Sequence, residues 1–263
     1  MVSEPYRERN LLDRLAGPDT LQVHYDNEMR RERALLSRRL PLSGGEVLSV
    51  GCGRHPGRHL FPKPRFRITG VDLDGGLIDS LVESGELDAG VVARAGELPF
   101  DSGSFDVVLY RLVLHHIAYQ GPLEPAFAEA ARLLRPGGAM VAVEPGLWHP
   151  VGAGLAVANR LGLGVPVHGT PDDIPLSPRA LVRAARGAGL APELHALTFG
   201  WRRLPPALQR ALHRLDALGS RRRAAPFGHT LLLIARAPGP GACAPRPSPG
   251  SAERAARSSA RAS

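Results

Sequence analysis

Short, continuous apolar runs recur along the first half of the chain, at Val47–Val50, Phe66–Val71, Val91–Ala93, Phe105–Tyr110 and Ala139–Glu144. None is long enough for a buried helix, and most are continuously apolar, so they predict strands covered on both faces, as in a parallel sheet. Helical spacing between them predicts helices over Leu77–Glu83 and Glu124–Leu134. The second is stopped by Arg135-Pro136-Gly137-Gly138, where glycine ends a helix and proline cannot continue it. Pro56, Pro62 and Pro64 interrupt the segment between the first two strands, which predicts a stunted or irregular helix there. Further on, Ser177–Gly187 predicts a helix with Ser177 as N-cap and Pro178 at its first position. A strand over Leu190–Thr198, a helix over Pro205–Leu218 and a last buried strand over Thr230–Ala235 complete the pattern. At the other end, Met29, Arg33, Leu36 and Leu40 share one face of a helix expected over Glu28–Leu40, and His24-Tyr25-Asp26 before it reads as a surface turn.

This order implies an α/β domain over residues 43–237 behind an N-terminal helical cap, 1–42. Residues 145–176 are rich in glycine and proline and read as a lid insertion or a poorly ordered loop. Residues 238–263, built from Pro, Ala, Ser, Gly and Arg, read as a disordered tail. A chain of 263 residues suffices for one such domain with appendages.

Composition narrows the function classes. The net charge is +8, but Arg246, Arg254, Arg257 and Arg261 against Glu253 place +3 of it in the tail, and Lys63 is the sole lysine. Arginine bias with abundant Ala, Gly and Pro is the mark of GC-rich coding, and the aromatic interleaving of single-strand binders is missing, so a nucleic-acid partner is not expected. Cys52 and Cys243 are too few for a disulfide framework or a cysteine-based metal site. The N-terminus lacks an apolar signal core and no apolar run reaches spanning length, so the expectation is a cytoplasmic protein without a membrane span.

The chemistry concentrates around SGGEVLSVGCGRHPG (43–57), where the first strand enters a turn holding Gly51, Cys52 and Gly53. Glycine permits positive φ and lets a ligand lie against bare backbone, as the first turn of a nucleotide-binding sheet requires. Asp72, at the end of the second strand, follows Gly53 by 19 residues, near the spacing at which a carboxylate meets ribose hydroxyls.

The series VLSVGCG (47–53), GVDLD (70–74), GELPFDSGSFDVVLYRLVLHHI (96–117) and LLRPGGAMVAVEP (133–145) resembles the class I S-adenosylmethionine-dependent methyltransferases, in particular the small-molecule branch with quinone and natural-product enzymes. The resemblance implies a Rossmann-like sheet of seven mostly parallel strands, with the last antiparallel, and S-adenosyl-L-methionine as cofactor. It implies that Gly51, Cys52 and Gly53 face the methionine part, that Asp72 holds the ribose and Leu73 packs on the adenine, and that Ala95 and Gly96 border its edge. Tyr110 and Arg111 would offer backbone carbonyls to the amino group, and Tyr25 would serve as a lid residue. The chain departs from the family pattern at Ser49, His55 and Arg94, which stand for a carboxylate, a third glycine and an acidic residue near the adenine.

A general base would help only a hydroxyl acceptor, and His is apt near neutral pH. His116 ranks first, with His115, Glu144, His149 and His168 as further candidates. The apolar insertion with Trp148 suggests a hydrophobic or aromatic small-molecule acceptor, and the coding bias suggests secondary metabolism. A homodimer is compatible with such a chain. Two alternatives stand beside this reading: a methyltransferase-like binding or scaffolding protein, and a nicotinamide-dependent oxidoreductase. The latter needs glycine where Pro56 stands.

Overall fold

Seven strands join in one sheet in the computed structural model, which describes residues 18–163, 174–221 and 223–239. They are β1 (Gly45–Val50), β2 (Phe66–Asp72), β3 (Ala89–Val92), β4 (Phe105–Arg111), β5 (Leu134–Pro145), β6 (Ala191–Thr198) and β7 (Thr230–Arg236). The order is β3-β2-β1-β4-β5-β7-β6, and β7 alone runs antiparallel to its neighbours β5 and β6. The Rossmann-like arrangement expected from the sequence is therefore present, last strand included.

Each strand sends alternate side chains to opposite faces. Leu48, Val71, Val108, Tyr110, Met140 and Leu233 build one layer with helices α4 (Glu124–Leu133) and α6 (Pro178–Gly187). Val47, Ile68, Leu109, Val141 and Ile234 build the other, against α1 (Pro18–Arg39) and α2 (Gly75–Glu83). The connections that hold α4 and α6 also carry α3 (Leu114–Gln120), which the apolar pattern did not mark as an element, and α5 (Pro150–Arg160). Strand order reverses between β1 and β4, which opens a crevice at their carboxyl ends, where sheets of this type bind ligands.

Several local expectations need correction. The N-terminal helix starts at Pro18, not Glu28, so His24-Tyr25-Asp26 is helical rather than a turn. Its inward face is His24, Asn27 and Glu32 followed by Leu35 and Leu36, while Met29 and Arg33 point outward. A mostly polar inner face hides such a helix from apolar periodicity. The third strand begins two residues earlier than expected and ends one earlier. α4 stops at Leu133, and Arg135–Gly138 form a bulge in β5, since Phe105 pairs with Leu134 but Val107 with Ala139. Insertion 145–176 contains α5, started by His149 at its N-cap and by Pro150, and residues 164–173 with His168 lie outside the described residues. Ser177 does cap α6, but with its backbone alone. The helix expected over Pro205–Leu218 divides into α7 (Pro206–His213) and a 3-10 turn, Leu215–Ser220. Between β1 and β2 the chain forms irregular turns without a helix, as the prolines imply. The expected tail lies almost wholly outside the described residues.

Candidate active site

At the carboxyl end of β1 the chain reverses through Gly51 (φ 58°) and Gly53 (φ 48°). A Cβ on Gly51 would stand 2.3 Å from Cγ2 of Val113, so the turn is closed by packing as well as by its dihedrals. Nothing lies within 4 Å of the corresponding position on Gly53, which leaves bare backbone facing open space. The Gly53 N–H donates to Oδ2 of Asp72 at 3.0 Å, while Oδ1 accepts from the Leu73 amide at 2.8 Å. One carboxylate thus ties the β1 turn to the β2 end. Cys52 between the glycines is buried; burial above all, with Asp72 beside it, pushes its thiol up to about 12, so it packs as an inert apolar group. Its side chain turns into the core, and only its backbone belongs to the turn.

Apolar side chains stand exposed along the neighbouring strand ends: Leu73 after β2, Val92 at the end of β3 and Leu112 after β4. Leu112 has φ 55°, a left-handed conformation rare for this residue type, held by its N–H to the Val143 carbonyl at 2.8 Å. No sequence signal marks it. Ala95 is half-buried and Gly96 exposed in the turn after β3, with no atom within 4 Å of the position of a Gly96 Cβ. Gly51, Gly53, Asp72 and Leu73 therefore share one end of the crevice.

Tyr110 and Arg111 close β4 with opposite side-chain fates. Tyr110 is fully buried, and its hydroxyl, pushed up by burial, donates to the Ala126 carbonyl at 3.3 Å. Arg111 reaches back to α1, with Nε and Nη2 at 3.1 and 3.0 Å from the two oxygens of Glu32. Burial raises the Glu32 carboxyl, but Arg111 and His59 more than offset that and hold it below its ordinary value. Arg111 also donates to the carbonyl of His55 at 3.4 Å. The His55 and Arg94 side chains are exposed, whereas Ser49 is buried within β1.

Glu144, at the end of β5, is buried and fully engaged. Oε1 accepts from the Val113 and Leu114 amides at 2.9 and 2.7 Å, and Oε2 lies 2.6 Å from Nδ1 of His115. It fixes the start of α3 in place of a side-chain N-cap. His116 is half-buried, its ring centroid 4.1 Å from that of His115. Glu144 and His116 are thus brought together through His115. Tyr25 lies elsewhere, on α1 beside His24 at 5.6 Å between centroids.

His24, Glu28 and His229 form a second group of polar side chains that sequence reasoning missed, where Thr230 pairs with the last residues of β5 and β6. His24 Nε2 lies 3.3 Å from Glu28 Oε1, the Thr230 hydroxyl donates to the same oxygen, and His229 Nδ1 lies 3.3 Å from that hydroxyl. Burial raises the Glu28 carboxyl, yet His24, Thr230 and His229 bring it to about 2. Burial and the neighbouring His24 push His229 well down. His149 packs edge-on against His229 at 5.2 Å, and its own Nδ1 accepts from the Val151 amide at 3.3 Å. The i, i+4 spacing of His24 and Glu28 is visible in the sequence; the third partner, from the far end of the chain, is not.

Residues 48–142 match the family described as "Methyltransferase domain". The chain is 32% identical over 168 residues to 27-O-demethylrifamycin SV methyltransferase of Amycolatopsis mediterranei (strain S699), covering 58% of this chain and 60% of that protein. It is 31% identical over 153 residues to ubiquinone biosynthesis O-methyltransferase of Xylella fastidiosa (strain 9a5c), covering 52% and 59%. It spans about 60% of the length of both relatives. Among solved structures, geranyl diphosphate C-methyltransferase from Streptomyces coelicolor A3(2), in complex with Mg2+, geranyl diphosphate and S-adenosyl-L-homocysteine, has a similar fold. The TM-score is 0.54 at 20% identity, over 79% of this chain and 80% of that one. No helix among the described residues is long and apolar enough to cross a membrane.

Proposed function

We propose that this chain, whose residues 48–142 match the methyltransferase-domain family, is a class I S-adenosylmethionine-dependent methyltransferase that transfers the methyl group of that cofactor to a small hydrophobic or aromatic acceptor. The observation that carries the reading is the Asp72 carboxylate bound to the Gly53 amide beside the crevice, with bare backbone at Gly53 and exposed Leu73 on either side. These groups suit a ligand with a ribose, an aromatic base and a polar amino-acid end. S-adenosylmethionine supplies an electrophilic methyl on a sulfonium, and the acceptor atom displaces the thioether.

In this reading Asp72 takes the ribose hydroxyls, Leu73 with Ala95 and Gly96 borders the adenine, and the Gly51–Gly53 backbone takes the methionine end. The carbonyls of Tyr110 and Arg111 receive the amino group. Burial of Tyr110 and the clamp from Glu32 hold that strand end still, and positioning of this kind supplies much of the rate in a one-step transfer. For a hydroxyl acceptor His116 takes the proton, while Glu144 acts as a positioning residue through the Val113 and Leu114 amides and His115. Tyr25 covers the acceptor side from α1.

A binding or scaffolding role is the second reading, favoured by Ser49 and Arg94, which remove two carboxylates from the cofactor's surroundings. Incubation with methyl-labelled S-adenosylmethionine and a metabolite extract, followed by mass spectrometry, tests the two. Enzyme-dependent label in an apolar small molecule, lost in Asp72→Ala, supports transfer. Cofactor binding without label in any acceptor class supports the second reading.

A further inference from the structure

Helix α1 and the start of β7 bring three metal-ligating side chains together away from the glycine turn. The donor atoms of His24, Glu28 and His229 all lie within 4.8 Å of one another. His24 Nε2 and Glu28 Oε1, at 3.3 Å, already have the separation that two ligands adopt around one zinc-sized ion with bonds of about 2.1 Å. An i, i+4 pair on a helix is common as a plain ion pair, and that alone would need no ion. Two further observations point beyond it. A third donor arrives from a distant element, and the three converge where His24 is only 2% exposed.

We propose that His24, Glu28 and His229 bind one divalent cation of the zinc class. Two imidazoles and one carboxylate favour a borderline-soft ion over magnesium or calcium, which take oxygen sets. Thr230 is the outer partner. Its hydroxyl donates to Glu28 Oε1 and lies 3.3 Å from His229 Nδ1, so it touches two of the three ligands. His149 packs on His229 but has its Nδ1 committed to the Val151 amide, so it is not a ligand. Arg202 and Glu28 are both within electrostatic reach of His229, with opposite signs. Three protein ligands leave a fourth position open, the arrangement of a zinc ion that acts on a bound oxygen. That the oxygen belongs to a methyl acceptor rests on the function proposed above; the ion site itself does not.

The test uses the full chain, freed of metal with a chelator and titrated with Co2+, whose visible bands report a tetrahedral site. Equilibrium dialysis gives the stoichiometry. One Co2+ per chain, displaced by Zn2+, is expected. Glu28→Gln and His229→Gln should each weaken binding at least about tenfold and change the bands, while His149→Gln leaves both unchanged. Circular dichroism confirms that each variant is folded. Absence of stoichiometric binding by the folded wild-type chain overturns the proposal, as does unchanged affinity in both ligand variants. Neither result bears on S-adenosylmethionine binding, which is titrated in the same samples.

Discussion

Arg111→Ala and Glu32→Gln remove opposite halves of one ion pair, and the structure predicts unequal costs. Glu32 is fully buried, whereas the Arg111 side chain keeps 21% of its exposure. After Glu32→Gln the guanidinium can turn to water and the amide oxygen still accepts, so the loss should be about 1–2 kcal/mol of unfolding free energy. After Arg111→Ala the carboxylate is left, among the described residues, with His59 at 3.6 Å. An uncompensated buried charge of this kind costs about 3–5 kcal/mol. The pH dependence carries the sign. In the wild-type chain Glu32 titrates below its ordinary 4.5, so the pair's stability is present above that value and is lost only as pH falls beneath it. Without Arg111, burial dominates and raises the Glu32 carboxyl. The deficit is then largest at pH 7 and shrinks as acidification protonates the group. Urea unfolding of both variants at pH 7 and pH 5 measures this. Equal losses, or an Arg111→Ala deficit that does not shrink at the lower pH, would refute the assignment of Glu32 as a buried charge dependent on Arg111.

Other outcomes follow from the same geometry. Asp72→Ala should weaken S-adenosylmethionine binding by about 1–3 kcal/mol, measured by calorimetry on protein of unchanged circular dichroism, since it removes the proposed ribose acceptor and the bond to Gly53. Asp216, with no exposure, accepts from Asn27 at 2.8 Å and from the Phe199 amide at 2.8 Å, with Arg31 at 3.8 Å. Asp216→Ala should cost about 3–5 kcal/mol in urea unfolding and loosen α1, seen as faster amide exchange there; a loss below 1 kcal/mol would contradict its anchoring role. Partial burial raises the Asp88 carboxyl, but Arg58, the Ile68 amide and Lys63 bring it down to about 2 from 3.8. Its contribution is present above pH 3.8 and lost as pH falls towards 2, so Asp88→Asn should flatten the acid-unfolding curve in that window.

Much of the sheet was legible because its strands are continuous apolar runs, and the Gly51–Asp72 half of the site because glycine turns and strand-end carboxylates keep a fixed spacing. The polar face of α1 was not. His24, Asn27, Arg31 and Glu32 find their partners at His229, Asp216, Leu197 and Arg111, and the Asn27–Asp216 bond alone spans 189 residues. Periodicity reports apolar burial, so a helix held by polar tertiary contacts leaves no such trace. The expected roles of Glu144 and Tyr110 likewise came from position; only the structure reveals one carboxylate closing the start of α3 and one phenol sealed beneath α4.

Calorimetric titration of the full chain with S-adenosylmethionine decides whether the crevice takes that cofactor. The account predicts saturable binding of one cofactor per chain, abolished by excess S-adenosylhomocysteine and weakened in Asp72→Ala. Folded protein that takes up no S-adenosylmethionine would contradict it.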